Sequence, residues 1–134
     1  MVFFGGVDNS IRALNLKTNS IEFSLIGHTD SITGLALSNS GNMLLSNAMD
    51  NTLRRWDLRP YCTDPARSNG IYGGASHNFE KKMLRCCWSG DDSLISAGSA
   101  DRAIYVWKAD TGEIKHTLGG HTGSVNQTAL HPSG

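Results

Sequence analysis

Gly27-His28, followed by Asp50-Asn51-Thr52-Leu53-Arg54-Arg55-Trp56-Asp57, is the stretch that decides the fold. The His precedes the Trp by 28 residues, and short apolar alternations punctuated by turn residues fill the interval. Ile32–Ser38 reads as a strand, Asn39-Ser40-Gly41-Asn42 as a turn and Met43–Asn47 as a second strand. Asp50-Asn51 is a tight turn, because Asp and Asn tolerate left-handed φ and bond their own backbone. Thr52–Leu58 is a third strand. Arg59–Asn69 reads as a loop, since Pro60 and Pro65 cannot extend a ladder, and strand resumes near Ile71-Tyr72. Nothing in the chain reads as an amphipathic helix of useful length.

Working outward, the same pattern recurs. Asp8 leads to Leu14, Asp50 to Trp56 and Asp101 to Trp107, each six residues on, with the Asp residues 42 and 51 apart. Gly27-His28, Ser76-His77 and Gly120-His121 form a second landmark, spaced by 49 and 44. Each His leads into an apolar alternation: Ile32–Leu37, Leu84–Trp88 and Val125–Leu130. One His-to-Trp unit per roughly 40–50 residues is the period of a four-stranded propeller blade.

Composition agrees. Gly (15), Ser (15) and Asn (10) make 40 of the 134 residues, which disfavours helices and favours turns. Twelve basic residues balance twelve acidic ones, so the chain builds no one-signed field of the kind a basic nucleic-acid binder or an acidic tail needs. No apolar run approaches the roughly 18 residues of a membrane helix. The opening Met1–Gly6 lacks the basic and apolar regions of a signal peptide. Cys62, Cys86 and Cys87 are an odd number, and adjacent strand residues point to opposite faces. A reduced, intracellular setting is the expectation from that cysteine usage and the missing signal. The sequon at Asn126 lies in an apolar alternation and reads as chance.

Gly-His, the turn Asp and Trp-Asp together resemble the WD-repeat β-propeller family. The resemblance covers essentially the whole chain and implies an all-β fold of about three four-stranded blades, an open arc rather than a closed ring. It also implies a hydrogen-bonded structural tetrad of His28, Ser46, Asp50 and Trp56, in which every buried polar group is satisfied. In the third unit His77, Asp101 and Trp107 match, but Ala97 stands where Ser46 stands, so Trp107 must find another acceptor. In the first unit Leu14-Asn15 replaces Trp-Asp and Phe4 takes the Ser position, leaving Asp8 a turn role. Arg55, Thr128 and the turn Gly90-Asp91-Asp92 also depart from the family pattern and read as local weaknesses.

Chemistry-bearing alternatives are weaker. Ser46, His28 and Asp50 have the residue types of a hydrolytic triad, but a Ser that bonds a Trp offers no exposed nucleophile, and no Gly-x-Ser-x-Gly elbow exists. His28, His77, His121 and the cysteines lack the C-x-x-C or H-x-x-x-H spacing of a metal site. His77–Arg85 mixes bases with Phe79, yet Glu80 and the neutral balance favour a solvated loop over RNA contact. Gly5-Gly6 and Gly119-Gly120 serve turns, not a phosphate cradle. Neither catalytic residue, cofactor nor metal is expected.

The run Ser76–Ser89, with Leu44–Asn51 and Ala97–Arg102, is similar more narrowly to WD-repeat subunits of the U5 small nuclear ribonucleoprotein. That resemblance implies a non-catalytic protein–protein scaffold in pre-mRNA splicing, U5 proteins as partners and a nuclear location. An adaptor of a ubiquitin ligase, chromatin or signalling complex is the alternative. Contacts are expected on the inter-blade loops, at Thr29, Asp30, Asn78, Phe79, Lys81, Lys82 and Thr122. The blades fall at 1–28 (partial), 29–77 and 78–121, with 122–134 the first strand of another. The family ring has seven blades, which at about 40–45 residues each need roughly 300 residues. The chain therefore reads as a fragment: a truncated gene model, a partial product or a degenerate short copy. Open end faces leaving on the order of 400 Å² wet would each forfeit about 10 kcal/mol, so instability or self-association is expected.

Overall fold

The computed structural model describes residues 2–59, 67–73, 84–100, 103–120 and 128–129. All regular structure among them is β. Strands β1 (Val2–Gly5), β2 (Ser10–Asn15) and β3 (Ser20–Ile26) form the first sheet. Strands β4 (Ile32–Leu37), β5 (Met43–Ala48), β6 (Leu53–Asp57) and β7 (Ser68–Tyr72) form the second. Strands β8 (Cys86–Trp88), β9 (Leu94–Gly98), β10 (Ile104–Lys108) and β11 (Ile114–Leu118) form the third. Each sheet is an antiparallel meander whose strands lie in chain order.

The expected turns hold the backbone as their residues allow. Asn9 and Asn51, each following the turn Asp, take φ of 65° and 66°. Gly41 closes the β4–β5 turn at φ 78°, its N–H on Ser38 O (3.0 Å). β7 starts at Ser68, inside the stretch read as loop. Arg67 takes φ 55°, and the Asp57 N–H donates to Arg67 O (2.9 Å), so pairing begins immediately afterwards.

The core is two seams between neighbouring sheets. Ile11 and Leu25 of the first sheet meet Ile32, Leu44, Ala48 and Trp56 of the second. Leu45, Leu53 and Tyr72 of the second meet Cys86, Trp88, Ile95, Ala97 and Trp107 of the third. β5 feeds both, because consecutive residues point to opposite faces: Leu44 enters one seam and Leu45 the other. The opposite face of the first sheet, carrying Val2, Phe4 and Ile21, is exposed.

Candidate functional site

Four side chains converge where the first and second sheets meet. His28 arrives from the β3–β4 connection, Ser46 from β5, Asp50 from the β5–β6 turn and Trp56 from β6. The Trp56 indole N–H donates to Ser46 Oγ (2.8 Å), and Ser46 Oγ lies 2.6 Å from His28 Nε2. On the other side of the ring, His28 Nδ1 lies 2.9 Å from Asp50 Oδ2. Since the indole N–H can only donate, the Ser hydroxyl accepts from it and donates its own O–H to His28 Nε2, which leaves Nδ1–H to donate to the carboxylate. The chain Trp–Ser–His–Asp thus runs with one sense and a neutral imidazole.

The electrostatics fit that sense. Burial pushes the His28 pKa down; Asp50 opposes this, while the positive charge of Arg54 adds to it. Burial alone would raise Asp50, but the Thr52 hydroxyl, the Thr29 N–H and His28 outweigh it and hold the carboxyl at about 2. Thr29 N and Thr52 N donate to the two carboxylate oxygens at 3.0 Å each. Asp50 thereby ties the β3–β4 connection to the hairpin turn. Ser46 and Trp56 are both 0% exposed, so the Ser46 hydroxyl is covered and its hydrogen bonds are spent inside the tetrad. Gly27 is part of the same packing, for a Cβ there would lie 2.8 Å from Arg54 Nη1 and 3.1 Å from the Trp56 ring.

The other units are built differently. Trp107 donates to Gly73 O (2.9 Å), with Ala97 buried at the position corresponding to Ser46. His77 and Asp101 lie outside the described residues. In the first sheet, Leu14 and Phe4 hold the Trp and Ser positions, and Asp8 forms an ion pair with Arg12.

Of the expected contact residues, Thr29 and Asp30 are exposed on the β3–β4 connection. Asn78, Phe79, Lys81, Lys82 and Thr122, like His121, Cys62 and the start of Val125–Leu130, lie outside the described residues. Among the described residues no group of three or more His, Cys, Asp or Glu could hold a metal ion. No helix among them is long and apolar enough to cross a membrane.

Three positions read as weaknesses are in fact bonded between or beyond sheets. Asp92, at φ 60°, accepts from Asn39 N (2.8 Å), Asn39 Nδ2 (3.2 Å) and Ser40 N (3.0 Å), joining the β8–β9 turn to the β4–β5 turn. Arg55 Nη1 donates to Ala109 O (2.6 Å), which also accepts from the Tyr72 hydroxyl (2.6 Å). Thr128 Oγ1 lies 3.1 Å from Ser96 Oγ and 3.5 Å from Cys87 Sγ. No single-repeat signature contains these links, because each partner sits in a different unit. A cleft of about 270 Å³ also opens beside β4, lined by Gly5, Ile32, Thr33, Gly34, Leu35 and Arg85.

Three meander sheets side by side, knit by a Trp–Ser–His–Asp chain, match a known architecture. A family model described as the second β-propeller of WD repeat-containing protein 75 covers residues 5–131. The chain belongs to the WD-repeat β-propellers. Within that family it is 50% identical over 131 residues to the human U5 small nuclear ribonucleoprotein 40 kDa protein, covering 98% of this chain and 36% of the relative. It is 44% identical to the pre-mRNA-splicing factor cwf17 of Schizosaccharomyces pombe, covering 98% of this chain and 38% of the relative. The Dictyostelium discoideum U5 40 kDa protein is 40% identical, with 99% and 49% covered. The WD-repeat chain thus spans between about a third and a half of the length of these relatives, and its three sheets form a partial propeller.

Proposed function

We propose that this WD-repeat chain is a non-catalytic scaffold for protein–protein contacts in a U5-type splicing assembly, acting in the nucleus. The observation that carries the reading is the 50% identity to a U5 40 kDa protein across 98% of the chain. The buried tetrad supports the non-catalytic part, since it spends its Ser, His and Asp on holding two sheets together. U5 proteins are the proposed partners, through the inter-blade loops that include Thr29 and Asp30. The blade limits 29–77 and 78–121 are part of the same reading and contain β4–β7 and β8–β11 respectively. Self-association through the exposed Val2, Phe4 and Ile21 face belongs to it as well, and sedimentation at rising concentration tests that clause. The adaptor alternative has no observation of its own behind it.

Affinity purification of the tagged chain from the cells that encode it tests the main reading. Enrichment of U5 proteins is the expected result. Their absence, under conditions where a tagged U5 40 kDa protein recovers them, overturns it.

A further inference from the structure

The cleft beside β4 touches Ile32, Thr33, Gly34 and Leu35, four residues in succession. Successive strand residues point to opposite faces, so a cavity that meets four in a row runs along the strand's edge, not over one face. β4 pairs with β5 alone, so this edge carries no strand of its own sheet. The Ile32 N–H donates to Gly6 O (3.1 Å), and the Thr33 hydroxyl is committed to Leu84 O (2.8 Å). The walls are held close by glycines. A Cβ on Gly34 would lie 3.0 Å from Arg85 Cα and from Leu84 O, and one on Gly5 would lie 3.0 Å from Ile32 Cβ.

Arg85 brings the one charge among the described residues that line the cleft. It is exposed, and among the described residues it makes no hydrogen bond or ion pair. A strand at a sheet edge presents main-chain N–H and C=O groups outward, and here narrow glycine walls and an exposed guanidinium flank them, which suits an extended chain bearing a carboxylate. Main-chain bonding would supply affinity and the guanidinium fork the preference for acid. A nucleic acid fits less well, because no aromatic ring is among the described residues that line the cleft. We propose that the free edge of β4 takes an extended acidic segment of a protein partner, with Arg85 holding one of its carboxylates. This rests on the reading of the chain as a protein-contact scaffold and names the chemistry of one contact.

Fluorescence anisotropy on the whole chain tests it, with labelled hexaglutamate, the same peptide N-methylated at alternate residues, hexalysine and a hexauridine RNA as probes. Hexaglutamate should bind and hexalysine should not. Arg85→Glu should weaken hexaglutamate by tenfold or more, and Arg85→Lys by about threefold, because the ammonium lacks the fork. N-methylation should weaken it as well, by removing main-chain donors. The exposed Lys17→Glu should change nothing. Absent hexaglutamate binding, equal binding to Arg85→Glu, indifference to N-methylation, or Arg85-dependent binding of the RNA in its place would each overturn the proposal. Recovery of U5 proteins by the Arg85→Glu chain would leave the scaffold reading standing while the edge contact is judged by the peptides alone.

Discussion

Trp56 and Trp107 occupy equivalent strand positions and donate to acceptors in different sheets: Trp56 to Ser46 in its own, Trp107 to Gly73 O just past the last strand of the sheet before it. Both indoles are 0% exposed, so each N–H needs a partner. In the second sheet the bond opens a chain that reaches the turn Asp. In the third, with Ala97 in place of a hydroxyl, the indole itself crosses the seam and bonds its neighbour's main chain.

Removing the hydroxyl separates these two designs. Ser46→Ala leaves the Trp56 N–H and His28 Nε2 buried without partners, at a cost of about 2–4 kcal/mol. Ala97→Ser gains nothing, because Trp107 already has its acceptor and the new hydroxyl is buried. Urea unfolding should show a large drop in midpoint for the first and a small drop for the second. A neutral Ser46→Ala would mean the chain of bonds contributes nothing to stability.

Acid should loosen the protein in two stages of the same sign. The His28 pKa is lowered from 6.5 in the fold, so its contribution is whole above about pH 6.5 and falls as the pH drops through that value. Asp50 is held at about 2 against an ordinary 3.8, so its contribution is whole above about pH 5 and fades toward pH 2. The Tm should be level from pH 7 to 8.5 and decline below. His28→Gln should melt lower at pH 7.5 but lose the decline between pH 6.5 and 5.

Two glycines in the same sheet region should respond unequally to a methyl group. At Gly34 the new Cβ meets the main chain of Leu84 and Arg85, just before β8, at 3.0 Å, so the two segments must part, at about 1–3 kcal/mol. At Gly27 it meets the tip of Arg54 at 2.8 Å, which can swing aside, and the buried Trp56 ring at 3.1 Å, which must give by a few tenths of an ångström, so the loss there should be smaller. Thermal melts of Gly34→Ala and Gly27→Ala rank them; equal losses would contradict the close approach of β4 to residues 84–85.

The adjacent cysteines should react differently. Burial pushes the Cys86 thiol up to about 12, so little thiolate is present at neutral pH, and its side chain lies inside the second seam. Cys87 is half-buried on the other face. Brief iodoacetamide treatment followed by peptide mass spectrometry should leave Cys86 unmodified until denaturant is added.

Strand identity and the tetrad were legible because both are local: alternation marks β4 to β6, and Asp50-Asn51 marks the turn. His28, Ser46, Asp50 and Trp56 sit within a single repeat, where one signature can hold them. The links from Asp92 to Asn39, Arg55 to Ala109 and Trp88 Nε1 to Ala36 O (3.0 Å) each span about 50 residues, and their partners follow no fixed spacing. A turn that lacks its usual Pro-Asp-Gly therefore looked like a defect, whereas Asp92 accepts a left-handed φ and gains three donors from the adjacent sheet. The β4 cleft was illegible for a similar reason, since residues 5, 32–35 and 85 come from three repeats.

The placement of Leu44 and Leu45 in separate seams makes β5 intolerant of insertions and deletions. Dropping one residue there would send each leucine toward the wrong neighbour and carry Ser46 away from His28 in the same stroke. Length changes accumulated by such a gene over time should therefore gather in the connections, with the count of residues between Met43 and Ala48 left untouched.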